Sequence, residues 1–214
     1  MSLVRLPALY AIVDPLDTGR SPVALAGAIL AGGARLLQLR LKDASSRTLY
    51  ETALALRAVT RATGALLVIN DRPDVAAAVD ADGVHLGQDD VPVSVARTIL
   101  GPTRWIGVST HDVAEAEAAI AAGANYLGVG PIFTTTSKAA ALPARGLDLL
   151  RTVRGLTDRP LVGIGGITPD TAAATRAAGA DSVAMIAAIT RAADPAATVQ
   201  DIIRRLSAAA GNTT

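Results

Sequence analysis

The sequence predicts an α/β protein folded as a (β/α)8 TIM barrel, on three observations. Eight short apolar runs rich in β-branched residues alternate with longer Ala/Leu-rich stretches of helical period. The 214 residues leave about 27 for each of eight units, room for a strand, a helix and two short loops. Three segments, AGGARLLQLR (31–40), AAGANYLGVG (121–130) and AAGADSVAMI (177–186), repeat one pattern in which a helix ends at Ala-Gly and the chain turns into a strand. An open doubly wound sheet is the alternative, but it needs a topological switch point and ordinarily has fewer strands. No Gly/Ser- or Pro-rich linker interrupts the pattern, so residues 1–214 read as a single domain.

The strands are expected over 9–13, 36–40, 66–69, 83–86, 105–108, 126–129, 161–164 and 182–186. The helices are expected over 22–32, 46–63, 74–79, 91–100, 112–122, 146–154, 169–178 and 195–209, the third barely two turns long. Glycine after a helix accepts positive φ without a Cβ clash, which explains the Ala-Gly endings. Asn70-Asp71-Arg72-Pro73 stops the third strand, because the residue before proline is pushed out of the α region. Asp112 and Thr168 are placed to cap the helices that follow them.

Composition narrows the function. Half the residues are hydrophobic and 18% are charged, which excludes a disordered chain. The net charge of +1 and five aromatic residues supply neither a basic stripe nor stacking platforms, so nucleic acid is not an expected partner. No apolar run reaches the roughly 18 residues that span a bilayer, and the N-terminus lacks the pattern of a signal peptide. A cytoplasmic protein without membrane partners is expected. A homo-oligomer is compatible with the sequence, which does not decide the matter. Without cysteine there is no disulfide, thiolate metal site or thiol nucleophile. Of the 20 basic residues only Lys42 and Lys138 are lysine, in a chain that otherwise uses arginine for its cations.

A barrel carries its chemistry at the C-terminal ends of its strands. Both lysines, both histidines, the single Phe and two of the three glutamines fall at those ends. Gln38 and Arg40 alternate along strand two and face one side, with Lys42 continuing the parity. Arg40 and Lys42 then give two cations for one site, which suits a polyanion such as pyrophosphate. Asp71 and Asp90 follow neighbouring strands and offer the hard oxygen ligands of Mg²⁺, although on spacing alone Asp89 could replace Asp90. Gly163-Ile164-Gly165-Gly166-Ile167 and Met185-Ile186-Ala187-Ala188 end strands seven and eight, where barrels bind monophosphates through backbone N–H groups. Ser109 lacks a Ser-His-Asp setting and reads as a hydrogen-bonder. His111 is a candidate substrate contact, His85 less so, and Trp105 reads as packing. Two anion sites in one mouth suit a reaction joining a diphosphorylated donor to a phosphorylated acceptor.

The motifs QLRLK, INDR, GVHLGQDD, IGVSTH, GPIFTTTSK, GIGGI and VAMIAAI occur in the order and spacing of the thiamine phosphate synthase family, which the chain resembles from strand two through strand eight. That resemblance implies a Mg²⁺-dependent transferase joining hydroxymethylpyrimidine diphosphate to hydroxyethylthiazole phosphate, with thiamine monophosphate and pyrophosphate as products. It implies that Gln38, Arg40, Lys42, Asn70, Ser109 and Lys138 bind the pyrimidine diphosphate, with Arg40, Lys42 and Lys138 stabilising the departing pyrophosphate. It implies Asp71 and Asp90 as Mg²⁺ ligands, Thr135 and Ser137 as thiazole phosphate contacts, and Gly166, Ile186 and Ala187 as its phosphate cradle. Four positions depart from the family pattern: Leu41 replaces a frequent acidic residue, Thr134 a proline, Ser137 a threonine and Ala187 a serine. The related thiazole tautomerase shares the barrel but tends to lose the aspartate after Asn and the full Lys/Asp set. All four of Lys42, Asp71, Asp90 and Lys138 are present here, which favours the synthase. A non-catalytic phosphate-binding barrel would not need two metal carboxylates.

Overall fold

The computed structural model describes residues 5–15, 18–135 and 143–211. Eight parallel strands, β1 (Leu9–Val13), β2 (Leu36–Leu39), β3 (Leu66–Asn70), β4 (Gly83–Leu86), β5 (Trp105–Thr110), β6 (Tyr126–Val129), β7 (Leu161–Gly163) and β8 (Ser182–Met185), close into a barrel in sequence order. Around them run α1 (Pro22–Ala31), α2 (Ser46–Thr63), α3 (Pro73–Ala78), α4 (Val93–Leu100), α5 (Val113–Ala121), α6 (Gly146–Leu156), α7 (Ala172–Ala177), α8 (Ala187–Thr190) and α9 (Pro195–Gly211). This is the expected (β/α)8 barrel.

Period-two alternation divides the strand residues into two cores. Tyr10, Ile12, Leu36, Val68, Tyr126, Val162 and Ala184 fill the barrel interior, with Trp105 packed against them as expected. Leu9, Ala11, Val13, Leu37, Leu39, Leu67 and Ile69 face outward into the larger core beneath the helices. The register sets Ile12 beside Gln38, Gln38 beside Val68, Asn70 beside His85, and Ser109 beside Gly128. Inward-facing polar residues therefore gather in one upper layer.

The structure corrects the expected elements in particular places. Arg40, Ile164 and Ile186 lie just past their strands, while β3 and β5 run on to Asn70 and Thr110. The four-residue α8 follows β8, too short to show a period in the sequence. Asp112 caps α5 and accepts the Glu115 N–H at 2.9 Å. Thr168 is not the cap residue: its carbonyl accepts the Thr171 and Ala172 N–H groups in a turn, its side chain caps no helix N–H among the described residues, and α7 begins at Ala172. The third residue of each repeat, Gly33, Gly123 and Gly179, adopts the positive φ expected of it.

Three alike clamps lie at the opposite end of the barrel from the strand C-termini, two of them within the repeats. Asp82 Oδ2 accepts both the Leu67 N–H and the Arg57 guanidinium at 2.8 Å. Asn125 Oδ1 takes the Ile106 N–H at 2.8 Å and Arg97 at 2.7 Å. Asp181 Oδ2 takes the Leu161 N–H at 2.8 Å and Arg154 at 2.9 Å. Each acceptor precedes an even-numbered strand, holds the start of the odd-numbered strand before it, and is gripped by an arginine from an even-numbered helix. Asp82→Ala should lower the unfolding free energy by about 2 kcal/mol in urea titrations, because Arg57 and the Leu67 N–H lose a shared acceptor.

Candidate active site

The ends of β1 to β4 form one half of the barrel mouth, and it is charged. Gln38 points into the barrel, as its parity requires, and its Nε2 donates to the Tyr10 hydroxyl at 2.9 Å. Arg40 and Lys42 do not stand as two bare cations on one site. Arg40 turns toward β1 and pairs with Asp14, the two side chains being only 12% and 11% exposed. Lys42 turns toward β3, with Nζ 2.5 Å from Asp71 Oδ2. The Asp14 carbonyl also accepts the Thr190 hydroxyl of α8 at 3.0 Å, which ties Arg40's partner to the neighbouring β8 unit. Asn70 closes β3, half-buried, in register with His85.

Asp71 and Asp90 converge. Asp71 holds a left-handed backbone at φ 62°, with its N–H donating to the His85 carbonyl at 2.8 Å. Asp90 Oδ2 accepts the Gly87 N–H at 2.6 Å. Burial, and then the facing Asp71 carboxyl with which it shares a hydrogen bond, push the Asp90 carboxyl above the usual carboxylate range. Asp89 is exposed, so Asp90 is the carboxylate brought to Asp71. Asp14, Arg40, Lys42, Asp71 and Asp90 together set two cations against three carboxylates, a balance of −1. Two hard oxygen ligands held against their mutual repulsion fit a divalent cation such as Mg²⁺.

The ends of β5 to β8 enclose a cavity of about 300 Å³. Ser109, Thr135, Gly166, Ile186 and Ala187 line it together with His111. The β6 and β7 loops lie against each other: the Ile132 N–H donates to the Ile164 carbonyl at 2.8 Å and the Phe133 N–H to the Gly165 carbonyl at 2.9 Å. Gly166 makes that approach feasible, since it holds φ 64° and a Cβ there would lie 2.4 Å from the Thr134 carbonyl oxygen. The first N–H groups of α8, at Ala187 and Ala188, have no acceptor within their helix. His111 Nδ1 meets Glu115 Oε2 at 2.8 Å, and the same oxygen accepts the His111 backbone N–H at 2.7 Å. Ser137 and Lys138 lie outside the described residues.

The sequence reading therefore placed eleven of its thirteen site positions on two adjoining halves of one mouth. It missed Asp14, Glu115, Tyr10 and Tyr126. Asp14 follows the first strand and was open to the rule applied to the other strand ends. Glu115 was announced by Asp112-x-x-Glu115, a capping-box spacing.

The fold and the mouth define a class: a (β/α)8 barrel whose strand ends join a charged carboxylate–cation cluster to a glycine-lined cavity. Comparison with known proteins gives the rest. A family model described as thiamine monophosphate synthase matches residues 9–189. A thiamine-phosphate synthase of Chloroflexus aurantiacus is 48% identical over 91% of this chain and 90% of its own length. One from Moorella thermoacetica is 47% identical over 95% and 97%. The solved thiamine phosphate pyrophosphorylase of Pyrococcus furiosus superposes with a TM-score of 0.86 at 37% identity, covering 94% of this chain and 96% of that one. The chain belongs to the thiamine monophosphate synthase family, and it is an enzyme of the transferase class. No helix among the described residues is long and apolar enough to cross a membrane.

Proposed function

We propose that the mouth joins hydroxymethylpyrimidine diphosphate to hydroxyethylthiazole phosphate, releasing pyrophosphate and thiamine monophosphate. The observation that supports this reading is the convergence of a carboxylate–cation cluster and a glycine-lined cavity at one end of the barrel. The diphosphate belongs over β1 to β4, where Arg40 and Lys42 exchange or share their carboxylate partners for phosphate oxygens. Asp71 and Asp90 would hold Mg²⁺, which when bound supplies positive charge to the leaving diphosphate. With that ion present the balance of −1 becomes +1, and Lys138 on the β6–α6 connection adds a third cation.

The thiazole phosphate belongs over β5 to β8. The Gly166 and Ala187 N–H groups and the Ile186 turn cradle its phosphate, and Thr135 and Ser137 contact it from the adjoining loop. Ala187 offers the phosphate no hydroxyl, so this subsite works through the backbone. Gln38, Asn70 and Ser109 take the pyrimidine ring between the two anion sites. The bond from the pyrimidine methylene to the diphosphate oxygen breaks, its electron pair leaving with pyrophosphate. The thiazole nitrogen lone pair then forms the new C–N bond. No proton needs to move, which agrees with Ser109 acting as a hydrogen-bonder and not as a nucleophile. Both reactants held in one mouth avoid the entropy cost of their encounter.

The test is turnover of the purified chain with both substrates and Mg²⁺. Thiamine monophosphate should form, and chelation with EDTA should stop it. Absence of product with authentic substrates would refute the assignment.

A further inference from the structure

Beneath the mouth runs a buried row of polar side chains, and no step above requires its three middle members, Tyr10, Tyr126 and His85. Gln38 Nε2 lies 2.9 Å from the Tyr10 hydroxyl, which lies 3.0 Å from the Tyr126 hydroxyl. The Tyr126 hydroxyl is 3.1 Å from His85 Nδ1, and His85 Nε2 is 2.9 Å from Ser109 Oγ. None of the five residues is more than 8% exposed. The row crosses the barrel from β2 to β5. Its housing is specific: a Cβ at Gly107 would lie 2.0 Å from the Tyr126 ring, and one at Gly128 would lie 3.0 Å from His85 Cε1. His85 stacks on Tyr126 at 5.6 Å between ring centres, and Tyr10 meets Tyr126 edge-on at 6.1 Å.

The direction of the hydrogen bonds follows from the end that can only donate. The Gln38 amide N–H donates, so the Tyr10 oxygen accepts and its own proton turns to Tyr126. Tyr126 then donates to His85 Nδ1, and His85 carries its proton on Nε2 and donates to Ser109 Oγ. In the reverse direction the Tyr10 hydroxyl proton would have no acceptor among the described residues. Burial pushes both phenols well above their ordinary value, so both stay protonated and able to donate.

We propose that Tyr10, Tyr126 and His85 are positioning residues that fix the polarity of the pyrimidine subsite: they hold His85 as the Nε2–H tautomer and commit the Ser109 hydroxyl to donating into the mouth. The row ends in an acceptor, the Gln38 carbonyl, and a donor, the Ser109 hydroxyl. An aminopyrimidine ring held between them offers an amine donor for the first and a ring-nitrogen acceptor for the second. The analogue with oxygen in place of the amine presents an acceptor to the Gln38 carbonyl, the wrong polarity. The binding half of this proposal rests on the assignment of Gln38 and Ser109 to the pyrimidine.

The chain has only two histidines, so ¹⁵N NMR of histidine-labelled protein reads the tautomer directly, with His111→Gln assigning the signals. His85 should carry its proton on Nε2. Tyr126→Phe keeps the ring and its packing but cuts the row. It should give His85 a mixed tautomer and raise the KM for the pyrimidine diphosphate about tenfold, with the KM for the thiazole phosphate within about twofold. It should also narrow discrimination against the oxo analogue. Tyr10→Phe, a second cut in the row, should move the same quantities in the same direction. A proton on His85 Nδ1 in the parent protein, or an unchanged KM in both variants, would overturn the proposal. Unchanged kinetics in Ser109→Ala would instead overturn the placement of the pyrimidine, and with it the binding role of the row, whatever tautomer His85 shows.

Discussion

Arg40→Ala should lower kcat by about 10²–10³-fold, with the KM for the thiazole phosphate within about twofold. The size follows from where the guanidinium sits. It is nearly buried at the junction of β1 and β2, paired with Asp14, whose backbone carbonyl is tied to α8 through Thr190. A preorganised cation of this kind acts on charge that develops as the diphosphate departs, and it does so with little reorganisation. Lysine at the same position should recover only part of the loss, because its point charge cannot bridge Asp14 and a phosphate oxygen as a planar fork does. Thermal unfolding of each variant separates this effect from the cost of leaving Asp14 without its arginine. An Arg40→Ala enzyme with the parent kcat would remove Arg40 from the diphosphate subsite.

Asp90→Asn should lower Mg²⁺-dependent turnover by about 10²-fold and yet raise the stability of the metal-free protein at neutral pH. Burial and Asp71 push the Asp90 carboxyl up, so the folded protein keeps that proton to a higher pH than the unfolded chain does. Between the ordinary carboxylate value and the raised one, the native state binds more protons. The stability of the metal-free protein therefore falls as pH rises through that window, and the full cost is present above it. Asparagine carries no charge and can donate to Asp71, which removes the cost. The stability difference should vanish below the ordinary carboxylate range. Lowering the pH into the same window should weaken Mg²⁺ binding to the parent protein, because protons compete for the carboxylate. Equal melting temperatures for parent and variant without Mg²⁺ across this range would contradict the description of Asp71 and Asp90 as a strained pair.

The barrel was legible in the sequence because its signals are local and repeated. Eight apolar runs, and glycines at one place in three repeats, fix strand and helix-end positions without any knowledge of contacts. The mouth was legible because a barrel sends the residues that follow its strands to one face, so Arg40, Asp71, Asp90, Ser109 and Gly166 could be placed together by rule. What the sequence withheld are the pairings across the barrel. Nothing local says that Arg40 leans to Asp14 while Lys42, two residues on, leans to Asp71. The row from Gln38 to Ser109 joins five strands, and its members look like ordinary strand residues until closure brings them together. The clamps at Asp82, Asn125 and Asp181 were equally hidden, although the repeats that hold Asn125 and Asp181 were visible.

The central claim is that one mouth holds a diphosphate donor and a phosphate acceptor and couples them. A ³¹P NMR time course with both substrates and Mg²⁺ tests this most directly. Pyrophosphate and thiamine monophosphate should appear together, one for one, and pyrophosphate release should be slow when the thiazole phosphate is withheld. Rapid pyrophosphate release without thiamine monophosphate, or no release with both substrates present, would contradict it.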